Sequence, residues 1–452
     1  MSAEMALQPT AIALDRVPSL LELHRTHPDK LPYLLASTSQ NGQLGRWSLL
    51  LMSGGDSLCL DRLGDRSNGA NNGGFLERLK AWTGQPKPDC QPLRGLPFAG
   101  GWFVYLGYEL VGEIEPGLRL PACDTGLPVA WADRTPAAVI IDHLNNAAWI
   151  SAESPDAAAQ LSALLEDGDQ SSAVPELSAF QLQAEDGSRF KAGVSRIREY
   201  ILDGDVFQVN LSRSWSGRFD RPVSPVDVYA SLALSNPAPF AGLARLPGGT
   251  LISSSPERLV EVDGDSIQTR PIAGTRPRGQ SQDDDQALSA ELIANSKERA
   301  EHIMLIDLER NDLGRVCQPG TVVVDELMVI ESYAHVHHIV SNVRGRLKPG
   351  IHASDVIAAV FPGGTITGCP KVRCMEIIAE LEQTGRGFYT GSMGYLGHDG
   401  HLDLNILIRS LVTDGTTLQF RTGAGIVADS EPAAELAETE AKAAGLLRAL
   451  AL

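Results

Sequence analysis

The chain has 452 residues, of which 43% are hydrophobic and 21% charged, so it is long enough to bury one large core or several smaller ones. The formal net charge of −18 at pH 7 argues against nucleic acid and acidic membranes as partners, because both are negatively charged. No apolar run approaches the roughly 18 residues that a membrane-spanning helix needs.

The first part of the chain predicts strands, turns and short helices. We expect a loose tail over residues 1–15, without the apolar segment that a signal peptide requires, and an N-terminal region over 16–166. Ser19 and Glu22 are spaced as a capping box at the start of a short helix. The other expected elements are strands over 33–37, 46–52 and 100–108, a turn at 40–42, a loop rich in glycine and asparagine at 67–74, and a hairpin of 137–142 with 147–151.

A polar, serine-rich stretch without apolar periodicity begins at residue 167, and we place a linker over 167–184. Residues 185–452 are then expected to form a second, C-terminal domain. Strands and helices mixed on this scale predict an α/β (α+β) sandwich. The expected helices of this domain are 188–202, 353–360 and 372–381, and the expected strands are 207–212, 251–254, 322–324, 339–343, 391–395, 404–411 and 418–422.

The cysteines and histidines follow no metal-binding or disulfide spacing. The six cysteines are scattered, and we expect reduced thiols in a cytoplasmic protein. His335, His337 and His338 lie close together but lack further ligands at zinc spacing, so a zinc site is not predicted. The glycine-rich stretch 361–368 resembles a phosphate-binding loop, but Cys369 and a proline follow where that loop requires Lys and Ser or Thr, which excludes an ATP site of this type.

A pair of carboxylates, Glu298 and Glu301, gives the first indication of chemistry. On a helix they lie one turn apart on the same face, where they repel each other unless a cation or a proton lies between them. A solvated acidic helix start is the simpler explanation for such a pair taken alone. Ser296 is the expected N-cap, and the apolar residues at helical spacing are Ala300, Ile303, Met304 and Leu308.

A second pair near the C-terminus changes that balance. Glu435 and Glu438 lie three residues apart, with Lys442 one turn further, in a segment rich in Ala and Leu that we expect to be helical. Ser430 is the expected N-cap, and Pro432 suits the first turn. Two helices with two carboxylates each form an oxygen-rich site for a hard cation. Mg²⁺ suits it, because this ion takes few carboxylates, keeps several waters and bridges to an anionic substrate.

With both pairs in place, the chain resembles the chorismate-utilising enzymes, a family that includes anthranilate synthase component I, aminodeoxychorismate synthase component I and the isochorismate and salicylate synthases. The resemblance is almost continuous from about residue 185 to the end. It implies the chorismate-utilising enzyme fold, with large antiparallel or mixed sheets flanked by helices and two intertwined subdomains. The stretches that carry it are 207–212, 255–257, 271–275, 297–312, 335–341, 361–371 and 423–426, and more weakly 34–37, 45–48 and 107–110.

The resemblance implies a magnesium-dependent site for chorismate, a cyclohexadiene with a ring carboxylate, an enolpyruvyl carboxylate and a 4-hydroxyl. Glu298, Glu301, Glu435 and Glu438 would hold Mg²⁺, directly or through water, and the metal would bind the ring carboxylate. Glu257 would be the general acid that protonates the departing 4-hydroxyl. The other implied site residues are Arg409 and Tyr389 on the enolpyruvyl carboxylate, Gly423 and Gly425 through backbone N–H groups, Lys371 and Lys442 as nearby positive charges, Thr275 and Thr365 as hydrogen-bonding hydroxyls, and His338 as the active-site histidine.

Two positions distinguish the reactions of the family. Gln208 stands where isochorismate and salicylate synthases carry a lysine that activates water. Because the neutral amide of glutamine cannot act as that base, Gln208 favours ammonia as the nucleophile. Ala273 stands where aminodeoxychorismate synthases commonly carry a nucleophilic lysine and anthranilate synthases an alanine. Other stretches favour the aminodeoxychorismate branch, with the anthranilate branch and a catalytically inactive chorismate-binding subunit as alternatives. These stretches are 208–212, 236–240, 366–368 and 391–396.

No cysteine lies in a Gly-x-Cys-x-Gly glutaminase motif. The resemblance therefore implies that a separate glutamine amidotransferase (glutaminase) subunit supplies ammonia. Ala36 replaces the glutamate of the family's feedback motif, which argues against feedback by tryptophan and leaves a structurally bound tryptophan open. The residues that would form the tryptophan pocket are Ser37, Arg46, Asn236, Pro237 and Phe240.

Overall fold

The protein is represented by a computed structural model that describes residues 7–38, 45–63, 73–166, 175, 177–333 and 336–450. Several sequence predictions lie outside these residues: the start of the tail, the turn at 40–42, most of the loop at 67–74, the first part of the linker, and His335. Within the described ranges, no helix is both long and apolar enough to cross a membrane.

The helices in the described ranges lie mainly on the outer faces of two large sheets. They are α1 (Leu20–Thr26), α2 (Phe75–Thr83), α3 (Val111–Ile114), α4 (Pro155–Glu166), α5 (Gly187–Leu202), α6 (Pro225–Ser235), α7 (Gln282–Ala294), α8 (Ser296–Val316), α9 (Ala353–Val360), α10 (Lys371–Glu382) and α11 (Pro432–Leu450). Short 3-10 turns add Pro88–Cys90, Leu93–Gly95, Tyr108–Leu110 and Gly364–Ile366.

The strands are distributed along the whole chain. They are β1 (Thr10–Leu14), β2 (Tyr33–Ala36), β3 (Trp47–Met52), β4 (Ser57–Leu60), β5 (Gly101–Leu106), β6 (Ala130–Thr135), β7 (Ala137–Asp142), β8 (Ala147–Ala152), β9 (Phe180–Ala184), β10 (Gln208–Phe219), β11 (Phe240–Leu246), β12 (Gly249–Ser255), β13 (Arg258–Asp263), β14 (Ser266–Thr269), β15 (Ile272–Pro277), β16 (Val323–Ser332), β17 (Val336–Arg346), β18 (Gly368–Cys369), β19 (Ser392–Gly397), β20 (Leu402–Asn405), β21 (Ser410–Thr413) and β22 (Thr417–Ile426).

The first sheet has the order β1-β8-β7-β3-β2-β11-β12-β21-β22-β10-β18, with β9 added beside β10. The second sheet has the order β15-β17-β14-β13-β20-β19-β5-β6-β4, with β16 added beside β17. Neighbouring strands in both sheets are antiparallel. The predicted α/β sandwich of large antiparallel sheets with flanking helices is confirmed.

Each sheet combines strands from before and after the expected linker. In the first sheet β2 pairs with β11, and in the second sheet β5 pairs with β19. The described end of the predicted linker contains β9, which pairs with β10. The ranges 16–166 and 185–452 therefore share both sheets instead of forming one sheet each.

The central core lies between the two sheets. Tyr33 of β2 and Phe103 of β5 stack with their ring centroids 3.8 Å apart, and Leu51 and Tyr395 belong to the same buried cluster. Helices cover the outer faces, so that β7 is buried along its whole length. Strands covered on both faces read as continuous apolar runs, which is why 137–142 shows no clear alternation.

Three local predictions are wrong. The predicted strand 404–411 is interrupted, because β20 ends at Asn405 and β21 begins at Ser410. Ser296 is already inside α8; the cap is Asn295, whose Oδ1 accepts a hydrogen bond of 3.2 Å from the Glu298 N–H, since α7 ends directly before it. Ser430 uses its hydroxyl to accept from the Val427 N–H and does not cap α11.

The predicted apolar face of α8 is also wrong in part. Ala300 and Ile303 are exposed, whereas His302, Leu305 and Glu309 are buried. The face of α8 that packs against the second sheet therefore carries polar groups among its apolar ones, and apolar spacing alone could not locate it.

Candidate active site

Several of the predicted site residues come together where β10 and β22 lie close to β15, β17 and α8. Gln208 of β10 donates from Nε2 to Glu301 Oε1 of α8 at 2.8 Å. A Cβ on Gly274 of β15 would lie 2.9 Å from Glu298 Oε2 of α8. The antiparallel pair β15–β17 places Thr275 opposite His338. Residues far apart in the chain thus share one location at the junction of the two sheets.

Glu257 is buried between β12 and β13, and its position suits a proton donor. Burial raises the pKa of its carboxyl to about 7, while the nearby Thr365 hydroxyl, the Ile272 N–H and the positive charge of Arg409 oppose the shift. Thr365 Oγ1 is buried and makes no hydrogen bond of ordinary geometry, so it lies near this carboxyl without being firmly bonded to it. A carboxyl in this state is protonated for a large part of the time at neutral pH.

Arg409 lies in the interruption between β20 and β21. Its backbone has a φ of 51°, in the left-handed region that non-glycine residues rarely adopt. Burial lowers the pKa of its guanidinium, while the charge of Glu257 opposes the shift. Since its side chain has no carboxylate partner within ion-pair distance among the described residues, the guanidinium is available for an anionic ligand.

His338 presents one nitrogen as a hydrogen-bond acceptor. Its Nδ1 lies 3.2 Å from the Gly274 carbonyl oxygen and 3.0 Å from Thr275 Oγ1. Because a carbonyl only accepts, Nδ1 carries the hydrogen and Nε2 is left unprotonated. Burial and the positive charge of Arg409 lower the pKa of the ring to about 4, so the neutral form dominates at physiological pH.

Tyr389, Gly423 and Asn210 border the same point. A Cβ on Gly423 would lie 2.7 Å from the Tyr389 hydroxyl and 3.0 Å from Asn210 Oδ1. Gly425 is required for the same reason, since a Cβ there would overlap Gln208 Nε2. The two glycines therefore leave the room in which polar side chains approach the β22 backbone.

The predicted metal-binding carboxylates fit Mg²⁺ in part. In the described chain no three Asp, Glu, His or Cys side chains are arranged to hold a metal by themselves. However, burial raises the pKa of Glu301, and the negative charges of Glu298 and Glu438 add to that shift. A carboxyl whose ionisation two neighbouring carboxylates disfavour suits a cation that keeps several waters and takes one or two carboxylates. Glu435 is buried on α11, on the same helix as Glu438.

The two predicted lysines differ in their surroundings. Lys442 donates to the Gly423 carbonyl at 3.1 Å and pairs with Glu438 at 2.7 Å, so its charge lies beside one of the predicted metal-binding carboxylates. The ammonium of Lys371 instead pairs with buried Asp312 and contacts the Val360 carbonyl. Lys371 thus neutralises a carboxylate of α8.

Ala273 lies among apolar side chains, whereas His337 is hydrogen-bonded to neighbouring side chains. Ala273 is buried with Leu305, Leu308 and Cys369, so this position carries no side-chain amine that could act as a nucleophile. His337 bonds to Asp285 at 2.9 Å and to a serine hydroxyl of β16 at 2.7 Å, in keeping with the structural role expected for it.

The predicted tryptophan pocket is only partly assembled. Arg46 and Phe240 line a cleft of about 740 Å³ between the sheets. Ser37, Asn236 and Pro237 are not among the described residues that line it; Asn236 donates to Ser254 Oγ at 2.9 Å. Arg46 is paired with Asp142 at 2.8 Å, which leaves its charge largely neutralised.

Buried polar atoms at the junction that have no hydrogen-bond partner within the described chain include Glu257 Oε1, Thr365 Oγ1, His338 Nε2, Gln208 Oε1 and Asn210 Oδ1. Buried polar atoms are nearly always bonded, so a group of such atoms in one place indicates a site for a polar ligand. Asn210 was expected only as part of the strand 208–212 that resembles the aminodeoxychorismate branch, and the alternation of polar and apolar residues along this strand is the usable signal for its side chain. Arg386, which lies beneath the site, left no such signal.

The cysteines also agree with the sequence analysis. All six are free, and burial is the main cause that raises the pKa of the Cys369 and Cys374 thiols near β18. Thiols with raised pKa values are poor nucleophiles at neutral pH. We therefore assign no covalent role to them.

Comparison with known proteins agrees with this geometry. A family model described as chorismate binding enzyme matches residues 54–448. An anthranilate synthase component I-like protein from Synechocystis sp. is 46% identical over 356 residues, which cover 78% of this chain and 73% of that protein. Aminodeoxychorismate synthase component 1 from Bacillus subtilis is 43% identical over 392 residues, which cover 84% and 81%.

A solved structure supports the same assignment. Anthranilate synthase component I from Streptococcus pneumoniae TIGR4 superposes with a TM-score of 0.79 at 29% identity, over 90% of this chain and 93% of that chain. The family match covers strands of both sheets and every predicted catalytic, substrate-binding and metal-binding residue, but not Ser37 and Arg46 of the predicted tryptophan pocket. The chain therefore belongs to the family of chorismate-binding enzymes.

Proposed function

We propose that this enzyme is an aminodeoxychorismate synthase component I, which aminates chorismate with ammonia to 4-amino-4-deoxychorismate, a precursor of p-aminobenzoate and folate. One contact carries the choice of branch. The Asn210 N–H donates to the Thr367 carbonyl at 2.9 Å. The stretches 208–212 and 366–368, each of which resembles the aminodeoxychorismate branch, are therefore hydrogen-bonded to each other beside the site. The relative from Bacillus subtilis supports the same choice.

Anthranilate synthase component I is the second candidate. It is favoured by Ala273, because that branch carries alanine there, and by the relatives with that name. Both candidates share the first step, in which ammonia attacks C2 of chorismate and the 4-hydroxyl leaves. They differ in the second step: elimination of pyruvate gives anthranilate, whereas a second ammonia that attacks C4 and displaces the first amine gives 4-amino-4-deoxychorismate.

The general acid of the first step is Glu257 in this proposal. Its protonated carboxyl donates to the 4-hydroxyl, which departs as water, and the carboxylate that remains is balanced by Arg409. Arg409 and Tyr389 hold the enolpyruvyl carboxylate, and Thr365 hydrogen-bonds the substrate beside the acid. His338 accepts at Nε2 and keeps its neutral form throughout, because Nδ1 stays bonded to Gly274.

Ammonia needs no general base to attack, which agrees with the neutral amide of Gln208. Its Nε2 is held by Glu301, and its free Oε1 can accept a hydrogen bond from ammonia. Mg²⁺, when bound by Glu298, Glu301, Glu435 and Glu438, supplies positive charge to the ring carboxylate. Lys442 keeps Glu438 beside the Gly423 backbone.

Activity is expected to fall above neutral pH. Burial raises the pKa of Glu257 to about 7, and the acid must be protonated to act. The pH profile of kcat/KM for chorismate, with rates expressed per concentration of unprotonated ammonia, should be level on the acid side and decrease about tenfold per unit above pH 7. A profile that stays level to about pH 9 contradicts this assignment.

The product decides between the two candidates. With chorismate, Mg²⁺ and an ammonium salt, we expect 4-amino-4-deoxychorismate that retains the enolpyruvyl group and is identified by mass. Glutamine should replace ammonium only when a separate glutaminase subunit is added, because the chain has no Gly-x-Cys-x-Gly motif. Release of fluorescent anthranilate together with equimolar pyruvate establishes the second candidate instead, and glutamine turnover by the single chain refutes the expected partner.

A further inference from the structure

A buried ionic cluster lies beneath the candidate site. Arg386 is 1% exposed and donates from Nε and Nη2 to Glu382 at 3.0 and 2.7 Å. The same carboxylate accepts from Arg421 Nη2 at 3.0 Å and from the hydroxyl and N–H of Ser212 at 2.8 Å. Burying three charged groups is costly unless every one is fully bonded, so the geometry of this cluster is strongly constrained.

The remaining bonds of Arg386 extend to the parts of the chain that form the site. Its Nη2 donates to the Asn210 carbonyl at 2.7 Å, and its Nη1 donates to the Ile366 carbonyl at 3.1 Å and to Thr390 Oγ1 at 3.3 Å. These bonds join β10, the turn Gly364–Ile366 and the segment 386–390. A single planar guanidinium therefore fixes three segments relative to one another.

Each of these segments carries a group that faces the substrate in the proposed site. The first carries the unpaired Asn210 Oδ1, the second carries Thr365 beside Glu257, and the third carries Tyr389. The Arg386 guanidinium also lies 5.6 Å from the centre of the Tyr389 ring. A shift of one segment by a fraction of an ångström would change the spacing of these groups.

Glu109 holds the same segment from the N-terminal region. Its carboxylate accepts from the Arg386 N–H at 2.7 Å and from the Gly387 N–H at 3.0 Å. The backbone and the side chain of Arg386 are thus fixed by different carboxylates. Arg421 offers a contrast, because it bonds to Glu382, to Ser212 and to Thr384 but to no carbonyl of the three segments.

We infer that Arg386 is a positioning residue that sets the geometry of the chorismate-binding groups by holding the Asn210, Ile366 and Tyr389 segments together. The inference requires only that chorismate binds at this junction and holds for either amino product. A purely structural role would make Arg386 and Arg421 equivalent, since both are buried cations that neutralise Glu382.

The test compares Arg386→Lys with Arg421→Lys. Lysine keeps a positive charge near Glu382 but cannot reproduce a planar fork that bonds in several directions. For Arg386→Lys we expect KM for chorismate to rise at least about tenfold, with the Mg²⁺ concentration for half-maximal rate unchanged, because Arg386 contacts none of the predicted metal-binding carboxylates. For Arg421→Lys we expect a change in KM of less than about threefold.

Two further measurements keep the inference testable. Guanidinium ion below denaturing concentration should restore part of the chorismate affinity of Arg386→Ala and leave Arg421→Ala unchanged. If Arg386→Lys does not fold, Glu109→Gln replaces it: this variant keeps Arg386 but loosens its backbone, and its KM for chorismate should rise severalfold with normal Mg²⁺ dependence. Equal effects of the two lysine variants on KM, or an unchanged KM in Glu109→Gln when Arg386→Lys is unfolded, would overturn the inference.

Discussion

Replacing Glu257 by Gln is expected to lower kcat for chorismate consumption by about 10²- to 10⁴-fold, the usual contribution of a general acid. The amide has the same shape but cannot give a proton to the 4-hydroxyl. The fold should survive, because a neutral amide is easier to bury than the carboxylate, and the raised pKa of Glu257 indicates that its ionised form is disfavoured there. Steady-state kinetics measure the loss of kcat, and thermal unfolding at about pH 8 measures whether the fold survives.

Glu261→Gln is the matched control for this variant. Glu261 lies on the neighbouring strand β13, where it pairs with Arg258 and lines the cleft that also contains Arg46 and Phe240. We expect kcat for this control within about threefold of the wild-type value, since the lost interaction is remote from the reacting atoms. A Glu257→Gln enzyme with wild-type kcat rules out Glu257 as the acid.

Glu438→Gln and Glu298→Gln are each expected to lower kcat/KM for chorismate by more than about 100-fold, because a metal ion contributes several kcal/mol to such a reaction. The two side chains are partly exposed, so the fold should be retained. Titration calorimetry of Mg²⁺ in the presence of chorismate should show directly that each variant binds Mg²⁺ more weakly than the wild type. This measurement separates weaker metal binding from a damaged substrate site.

Glu440→Gln provides the control on the same helix. Glu440 is exposed and lies 3.6 Å from Arg213, two positions from Glu438 and on another face of α11. The Glu440→Gln variant should bind Mg²⁺ as the wild type does. Full activity of Glu438→Gln or Glu298→Gln in buffer treated with EDTA contradicts the metal assignment.

The sequence predicted those parts of the fold in which the local pattern and the tertiary environment agree. The helix α9 and the hairpin β7–β8 match their predicted spans closely, because their caps, turns and apolar runs are local signals. The interruption at Arg409 could not be predicted. It depends on a left-handed backbone conformation that only the surrounding sheets impose, and propensity disfavours it in arginine.

The candidate site shows the same division. The spacing of Glu298 with Glu301 and of Glu435 with Glu438 indicated carboxylates on helix faces, and the resemblance assigned Glu257. Pattern alone could not reveal the arrangement beneath them: Arg386 bonds to backbone carbonyls whose positions depend on three distant segments. Likewise, the pairing of Lys371 with Asp312 joins the first residue of α10 to α8, which lies far away in the sequence.

The most direct test of the proposed site is a crystal structure of the Glu257→Gln variant with chorismate and Mg²⁺. We predict chorismate at the junction of the sheets, with its 4-hydroxyl at residue 257, its enolpyruvyl carboxylate on Arg409 and Tyr389, and its ring carboxylate on a metal held by the carboxylates of α8 and α11. Chorismate bound instead in the cleft beside Arg46 and Phe240, or at the junction with its 4-hydroxyl directed away from residue 257, would contradict this assignment.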